Sequence, residues 1–185
     1  MSAAKIAFPG FHSPAAGFEA PLEMLSACHG RVESQCQTLQ RLVPHLAAHG
    51  PDQAAREAAQ NVMRYFDTSA KHHHADEEQD LFPLLLQSAP AAGLAPLREL
   101  VLALQAQHRE LELYWGGLRG KLEGVCRGTV CDLNSAEVAR LVELYRLHIA
   151  REESELLPLA ARLLGQAQLD VVGRSMRLRR GIKEI

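Results

Sequence analysis

A chain of 185 residues is long enough for one domain that buries roughly 70% of its unfolded surface. Its composition, 47% hydrophobic and 23% charged, is that of a globular protein. The net charge of −2 argues against a chain built to hold nucleic acid, and no run approaches the roughly 18 apolar residues of a membrane span.

The start, MSAAKIAFPGF, lacks a basic flank ahead of an apolar core. No secretory signal is therefore expected, and the expected location is the cytoplasm. Residues 1–20 read as an extended arm packed by Phe8, Phe11 and Phe18. A first helix is expected over 21–49, opened by Pro21, kinked or divided near Pro44, and stopped at Gly50-Pro51. The second, capped by Asp52, should run over 52–88 with a bend at Pro83. A third should span 94–123, where Gly116, Gly117 and Gly120 weaken its end or permit close packing. Asn134, with Glu137 three residues on, caps a fourth helix reaching 164. A short basic helix over 167–180 closes the chain, and its arginines Arg174, Arg177, Arg179 and Arg180 suit a helix C-terminus. Strand-like alternation is absent. The fold class is all-α: an up-down-up-down four-helix bundle over 21–165, with the arm at 1–20 and a C-terminal basic helix or tail at 166–185.

Cys28, Cys36, Cys126 and Cys131 form no CxxC pair, so a cysteine zinc site has no support. They read as buried, reduced thiols, although Cys126 and Cys131 flank a loop and can bridge under oxidation.

The segment HHHADEEQDLFP, residues 72–83, raises the question of chemistry. His73 to Pro83 and His148 to Pro158 both read HxAxEExxLxP, 75 residues apart. This repeat pairs His73 with His148 and Glu77 with Glu152, and leaves His72 and His74 without counterparts, exposed or standing behind the site. A looser match, HxxxE, pairs His29/Glu33 with His108/Glu112, 79 residues apart. Helices one and two thus resemble helices three and four, as an internal duplication leaves them.

Residues four apart on a helix share a face, about 6 Å apart. Each His/Glu pair also lies on an apolar stripe, such as Val62-Phe66-Ala70-His73-Glu77 or Leu141-Leu144-His148-Glu152. Carboxylates seldom occupy a core face unless paired or bound to metal. A lone HxxxE is usually a surface pair; four at matching heights point to a metal centre. Imidazole and carboxylate without thiolate suit iron, and also manganese or zinc, though zinc usually settles for four ligands. Tyr145, one turn before His148, is either core packing or a hydrogen-bond donor to a bound ligand.

On these motifs the chain resembles the hemerythrin-like, HHE cation-binding family over roughly residues 20–165. The resemblance implies a non-haem di-iron centre, oxo-, hydroxo- or carboxylate-bridged. Glu77 and Glu152 would bridge the two Fe ions, with His29, His73, His108 and His148 as terminal ligands. Oxygen-carrying members have HxxxH on helix three and a longer final His-to-Asp spacing. Here Glu112 takes the second place, and His148-xxx-Glu152 closes the set. As a ligand, Glu112 makes the site more electron-rich and favours the ferric state; standing behind the ligands, it leaves an open coordination position. Glu33 is the equivalent candidate on helix one.

The function implied is binding or sensing of oxygen or a related small diatomic, in iron or oxidative-stress handling. With no fused output domain expected, a signal would pass through a homodimer or protein partner. The alternative is a di-iron redox enzyme acting on nitric oxide or peroxide, or in iron–sulfur repair. Repair relatives carry an extra N-terminal cysteine motif, and residues 1–20 contain no cysteine. A third reading is a bundle that only stores metal or binds proteins.

Overall fold

The computed structural model describes residues 17–182, which form five helices and no strand. Helix α1 is Pro21–His49, with Pro21 in its first turn and Gly50 (φ 65°) at its end. It passes through Pro44 as one helix, without the expected division. Asp52 caps α2, accepting from the Ala55 amide at 2.8 Å. Helix α2 runs Gln53–Arg64, widens into a π turn at Tyr65–Ser69, continues as Ala70–Asp76, widens again at Glu77–Leu81 and ends as Phe82–Ser88. Helix α3, Ala91–Arg127, extends the expected element at both ends and stops at Gly128 (φ 73°). Its three inner glycines face solvent with no neighbour nearby, so they neither end the helix nor serve close packing. Asn134 caps α4, which runs Ser135–Arg151, widens at Glu152–Leu156 and ends as Leu157–Leu163. Helix α5 is Gln166–Arg179.

The π turns at Glu77–Leu81 and Glu152–Leu156 fall at matching places in the HxAxEExxLxP repeat. Each is closed by a five-residue bond, Phe82 N–H to Glu77 O and Leu157 N–H to Glu152 O. A proline follows at once in each case, Pro83 and Pro158. Proline has no N–H to give, and its ring collides with the carbonyl four residues back. A turn widened ahead of it relieves that collision, and such turns recur at functional sites. The expected bend at Pro83 thus takes the form of an extra residue in the turn before it.

Helix α1 packs against α2 and α4, and α3 packs against the same two. The apolar interior is divided. One cluster gathers Val32 to Leu46, Ala55 to Ala70, Leu111 to Val125 and Val138 to Ile149. The other gathers Leu25, Leu81 to Leu85, Leu97 to Leu104 and Leu156 to Leu164, with Val172 and Met176 of α5. Along α1 and α3 the chain passes from the second cluster to the first, and along α2 and α4 from the first to the second.

Helix α5 lies over the second cluster. The Phe18 carbonyl comes so near Gly173 that a Cβ there would sit 1.9 Å from it, so only glycine admits the segment. The Phe18 ring lies 5.4 Å from the Arg177 guanidinium. Arg179 and Arg180 both donate to Asp76, a fully buried carboxylate on α2; Arg180 Nη2 does so at 2.7 Å. The part of the expected arm that carries Phe8 and Phe11 lies outside the described residues.

Candidate metal centre

Between the two apolar clusters lies a polar layer. Each of the first four helices turns a histidine into it: His29, His73, His108 and His148, all buried. Glu77 and Glu152 enter as well and are 0% exposed. Among the described residues the donor atoms fall into two groups of four, His29-His73-Glu77-Glu152 and Glu77-His108-His148-Glu152. Within each, the donor atoms lie within 4.8 Å of one another. The two carboxylates belong to both groups.

Distances show the convergence. Glu152 Oε2 is 3.0 Å from His29 Nε2, and its Oε1 is 3.0 Å from His148 Nε2. Glu77 Oε2 is 3.3 Å from His108 Nε2, and its Oε1 is 3.6 Å from His73 Nε2. Yet all four oxygens of these carboxylates are buried without a hydrogen-bond partner, as are Nε2 of His29, His108 and His148. A buried carboxylate that accepts no hydrogen bond is costly to keep charged, even with imidazoles beside it. Donors that face a shared space without bonding one another are the arrangement a cation completes, and the residue types suit a transition metal.

The outer ring nitrogens have partners. His29 Nδ1 donates to Glu153 at 2.6 Å, His108 Nδ1 to Glu78 at 2.7 Å, and His148 Nδ1 to Gln107 at 3.1 Å.

Electrostatics follow from the crowding of carboxylates and imidazoles. Burial lowers the affinity of His108 for a proton, but Glu152, Glu77 and Glu78 outweigh it and lift its pKa to about 10. The same contest raises His29, through Glu152, and raises His73 well above the usual range, through Glu77. Burial alone would raise the Glu152 carboxyl, but His148, His108 and His29 hold it well below the ordinary value.

Two placements differ from the sequence reading, and a third is decided between its alternatives. Glu112 and Glu33 are exposed on α3 and α1 and lie outside the converging groups. Leu111 and Val32, three residues after the histidines, take the interior positions instead. His74, unpaired by the repeat, is buried and stacked on the His108 ring at 4.0 Å. Its donor atom groups with those of His108 and His148. Burial, reinforced by His108, His73 and His148, keeps its pKa well below 6.5, so the ring is neutral and able to ligate. The run of three histidines and the stripe through His73 gave no sign of this, because the ring is placed by contact with α3.

Cys28 also has a closer relation to the site than an inert thiol. Its Sγ accepts from Arg31 Nη2 at 2.7 Å, and Tyr65 donates to its carbonyl at 3.2 Å. Burial raises the thiol, but His73 and Arg31 prevail and lower it. All four cysteines are free, with Cys126 half-buried and Cys131 exposed rather than buried. Tyr145 packs against Phe66, with ring centres 5.3 Å apart, in the first apolar cluster.

Comparison with known proteins agrees with this geometry. A relative from Haemophilus influenzae, described as an uncharacterized protein, is 34% identical over 164 residues, covering 89% of this chain and 92% of its own length. The model of the hemerythrin HHE cation binding domain matches residues 20–160, a span holding every histidine and carboxylate of the polar layer. Three-quarters of the chain is thus accounted for by one family, and the protein belongs to the hemerythrin HHE cation-binding domain family.

Proposed function

We propose that the chain is a non-haem di-iron protein that binds or senses oxygen or a related small diatomic and serves in iron or oxidative-stress handling in the cytoplasm. The observation that carries this reading is the sharing of Glu77 and Glu152 by two groups of donors. In it, both carboxylates bridge; His29 and His73 are terminal ligands of one iron, and His108 and His148 of the other. His74 joins the second set. That set would then offer three imidazoles and two carboxylates, more than zinc usually takes, and the set at His29 and His73 would offer two of each. The alternating direction of α1 to α4 through the layer supports the up-down-up-down arrangement of carboxylate-bridged bundles.

When bound, the iron pair supplies one-electron redox chemistry and a coordination site for the diatomic. The protein's part is to hold the donors and keep out water. Leu25, Leu81, Leu104 and Leu156 close one side of the layer, and Val32, Ala70 and Leu111 the other. In that dry setting, charge on the carboxylates is felt more strongly than in water.

Elemental analysis of untagged protein, with absorption spectra before and after anaerobic reduction, tests the proposal. About two irons per chain, with near-ultraviolet bands that bleach on reduction and return in air, is the expected result. Zinc alone, or no metal after anaerobic reconstitution with ferrous iron, overturns it. Catalytic consumption of a reductant with nitric oxide or peroxide would instead favour a redox enzyme.

A further inference from the structure

We propose that Glu78 and Glu153 are positioning residues, one for each ion, that fix the rings of His108 and His29 with Nε2 turned to the bridging carboxylates. The inference rests on the two-ion reading of the site and adds a division of labour within each glutamate pair.

Each copy of the repeat carries two successive glutamates, Glu77-Glu78 and Glu152-Glu153. Successive helical residues point about 100° apart, so both cannot face the interior. The first of each pair is 0% exposed, whereas Glu78 is 35% and Glu153 41% exposed. The second glutamates nevertheless turn to imidazoles rather than to surface cations. Glu78 on α2 reaches His108 on α3, and Glu153 on α4 reaches His29 on α1. Both contacts cross from one duplicated half to the other.

The histidines served are those whose own helices provide no buried carboxylate, since Glu112 and Glu33 are exposed. An ionised carboxylate can only accept, so Nδ1 of each ring holds a proton. Ligation then falls to Nε2, which on both rings is buried without a hydrogen-bond partner. A carboxylate behind a ligating imidazole fixes its orientation and makes it a stronger donor. Two other rings lack a carboxylate there: His148 Nδ1 meets the neutral amide of Gln107, and His73 stands beside the Cys28 thiol. Each set therefore has one imidazole backed by a carboxylate, His29 in one and His108 in the other.

The test is anaerobic titration of the full chain with ferrous iron against a competing chelator, for wild type, Glu78→Ala, Glu153→Ala and the two Gln variants. Glu155→Ala, which removes an exposed partner of Arg151, is the control. Each alanine variant is expected to lose roughly ten- to a hundredfold in affinity at one of two binding steps. The Gln variants, which keep an acceptor but no charge, should fall between alanine and wild type. In the zinc-loaded protein, proton–nitrogen NMR should show protected Nδ1–H signals for His29 and His108, each lost in the matching alanine variant. Wild-type affinities and signals in all four variants overturn this inference and leave the two-ion reading standing. A wild-type chain that binds no ion overturns both. If the alanine variants do not fold, the Gln variants decide alone, and unchanged affinity in them overturns the charge-based role.

Discussion

Helices α1 and α3 carry the same His-x-x-x-Glu spacing as α2 and α4, yet only the latter pair bury both members. His29 and His108 are buried while Glu33 and Glu112 face solvent; His73, Glu77, His148 and Glu152 are all buried. Four residues advance a helix by about 40° beyond a full turn, so the glutamate lies beside the histidine rather than on the same line. What occupies the third position decides the outcome. Val32 and Leu111 hold it on α1 and α3, are apolar, and claim the interior. On α2 and α4 it is Asp76, buried to the side against Arg179 and Arg180 of α5, and the half-buried Arg151; neither is apolar, and the glutamate after each faces the polar layer. The π turn that begins at that glutamate then brings Leu81 and Leu156 back into the core. Spacing alone marks candidates; the residue one place earlier selects among them.

The sharpest way to break the comparison is to remove a shared carboxylate. Glu77→Ala or Glu152→Ala should take metal content from about two ions per chain to near none, measured by elemental analysis after reconstitution. Retention of both ions would show that these glutamates do not bridge.

A neighbouring carboxylate gives a contrast in kind. Asp76 adjoins Glu77 and is equally buried, but its charge is met by Arg179 and Arg180 rather than by imidazoles. Replacing both arginines by alanine should cost roughly 3–5 kcal/mol in urea unfolding, and adding Asp76→Asn should recover part of it. An unchanged midpoint would mean that α5 does not hold that charge.

His74→Ala should lower loading from about two ions toward one, because the change touches only the set containing His108 and His148. Full loading would remove His74 from the ligands.

The layer also predicts opposite pH trends for the metal-free and loaded chains. His108 rises from an ordinary 6.5 to about 10 on folding without metal. A raised pKa stabilises the fold fully below 6.5, and that contribution disappears as pH climbs through about 10. The lowered Glu152 carboxyl contributes above its ordinary value and is lost only in acid. Thermal midpoints of metal-free protein should therefore fall between pH 6.5 and 10. Ion binding displaces the same protons, so the added stability of loaded protein should grow over that range. Parallel curves would contradict this.

The smallest effect is expected where the spacing misleads. Glu33→Gln and Glu112→Gln should leave metal content unchanged and shift stability by no more than about 0.5 kcal/mol. Loss of an ion in Glu112→Gln would return that carboxylate to the site.

Much of the fold was legible because helices declare themselves locally. Pro21, Asp52 and Asn134 mark starts, Gly50 marks an end, and the apolar stripes show which faces meet. The repeat supplied more: equal spacing around His73 and His148 singles out the two carboxylates that fall in both donor groups, and a proline follows the widened turn that begins at each. These are short-range constraints, written within about ten residues.

Tertiary structure decided the rest. His74 enters the layer because α3 brings His108 against it, although no histidine matches it in the second copy, where Ile149 stands in the first apolar cluster. Glu78 and Glu153 look like surface charges until α3 and α1 present an imidazole to each. Arg179 and Arg180 stand at the end of α5 as expected, and they also neutralise a carboxylate about a hundred residues away. The sequence determined which residues could lie on one face of one helix, because that depends on backbone period. Which groups share one space depends on how separate helices pack, and that is settled only when they do.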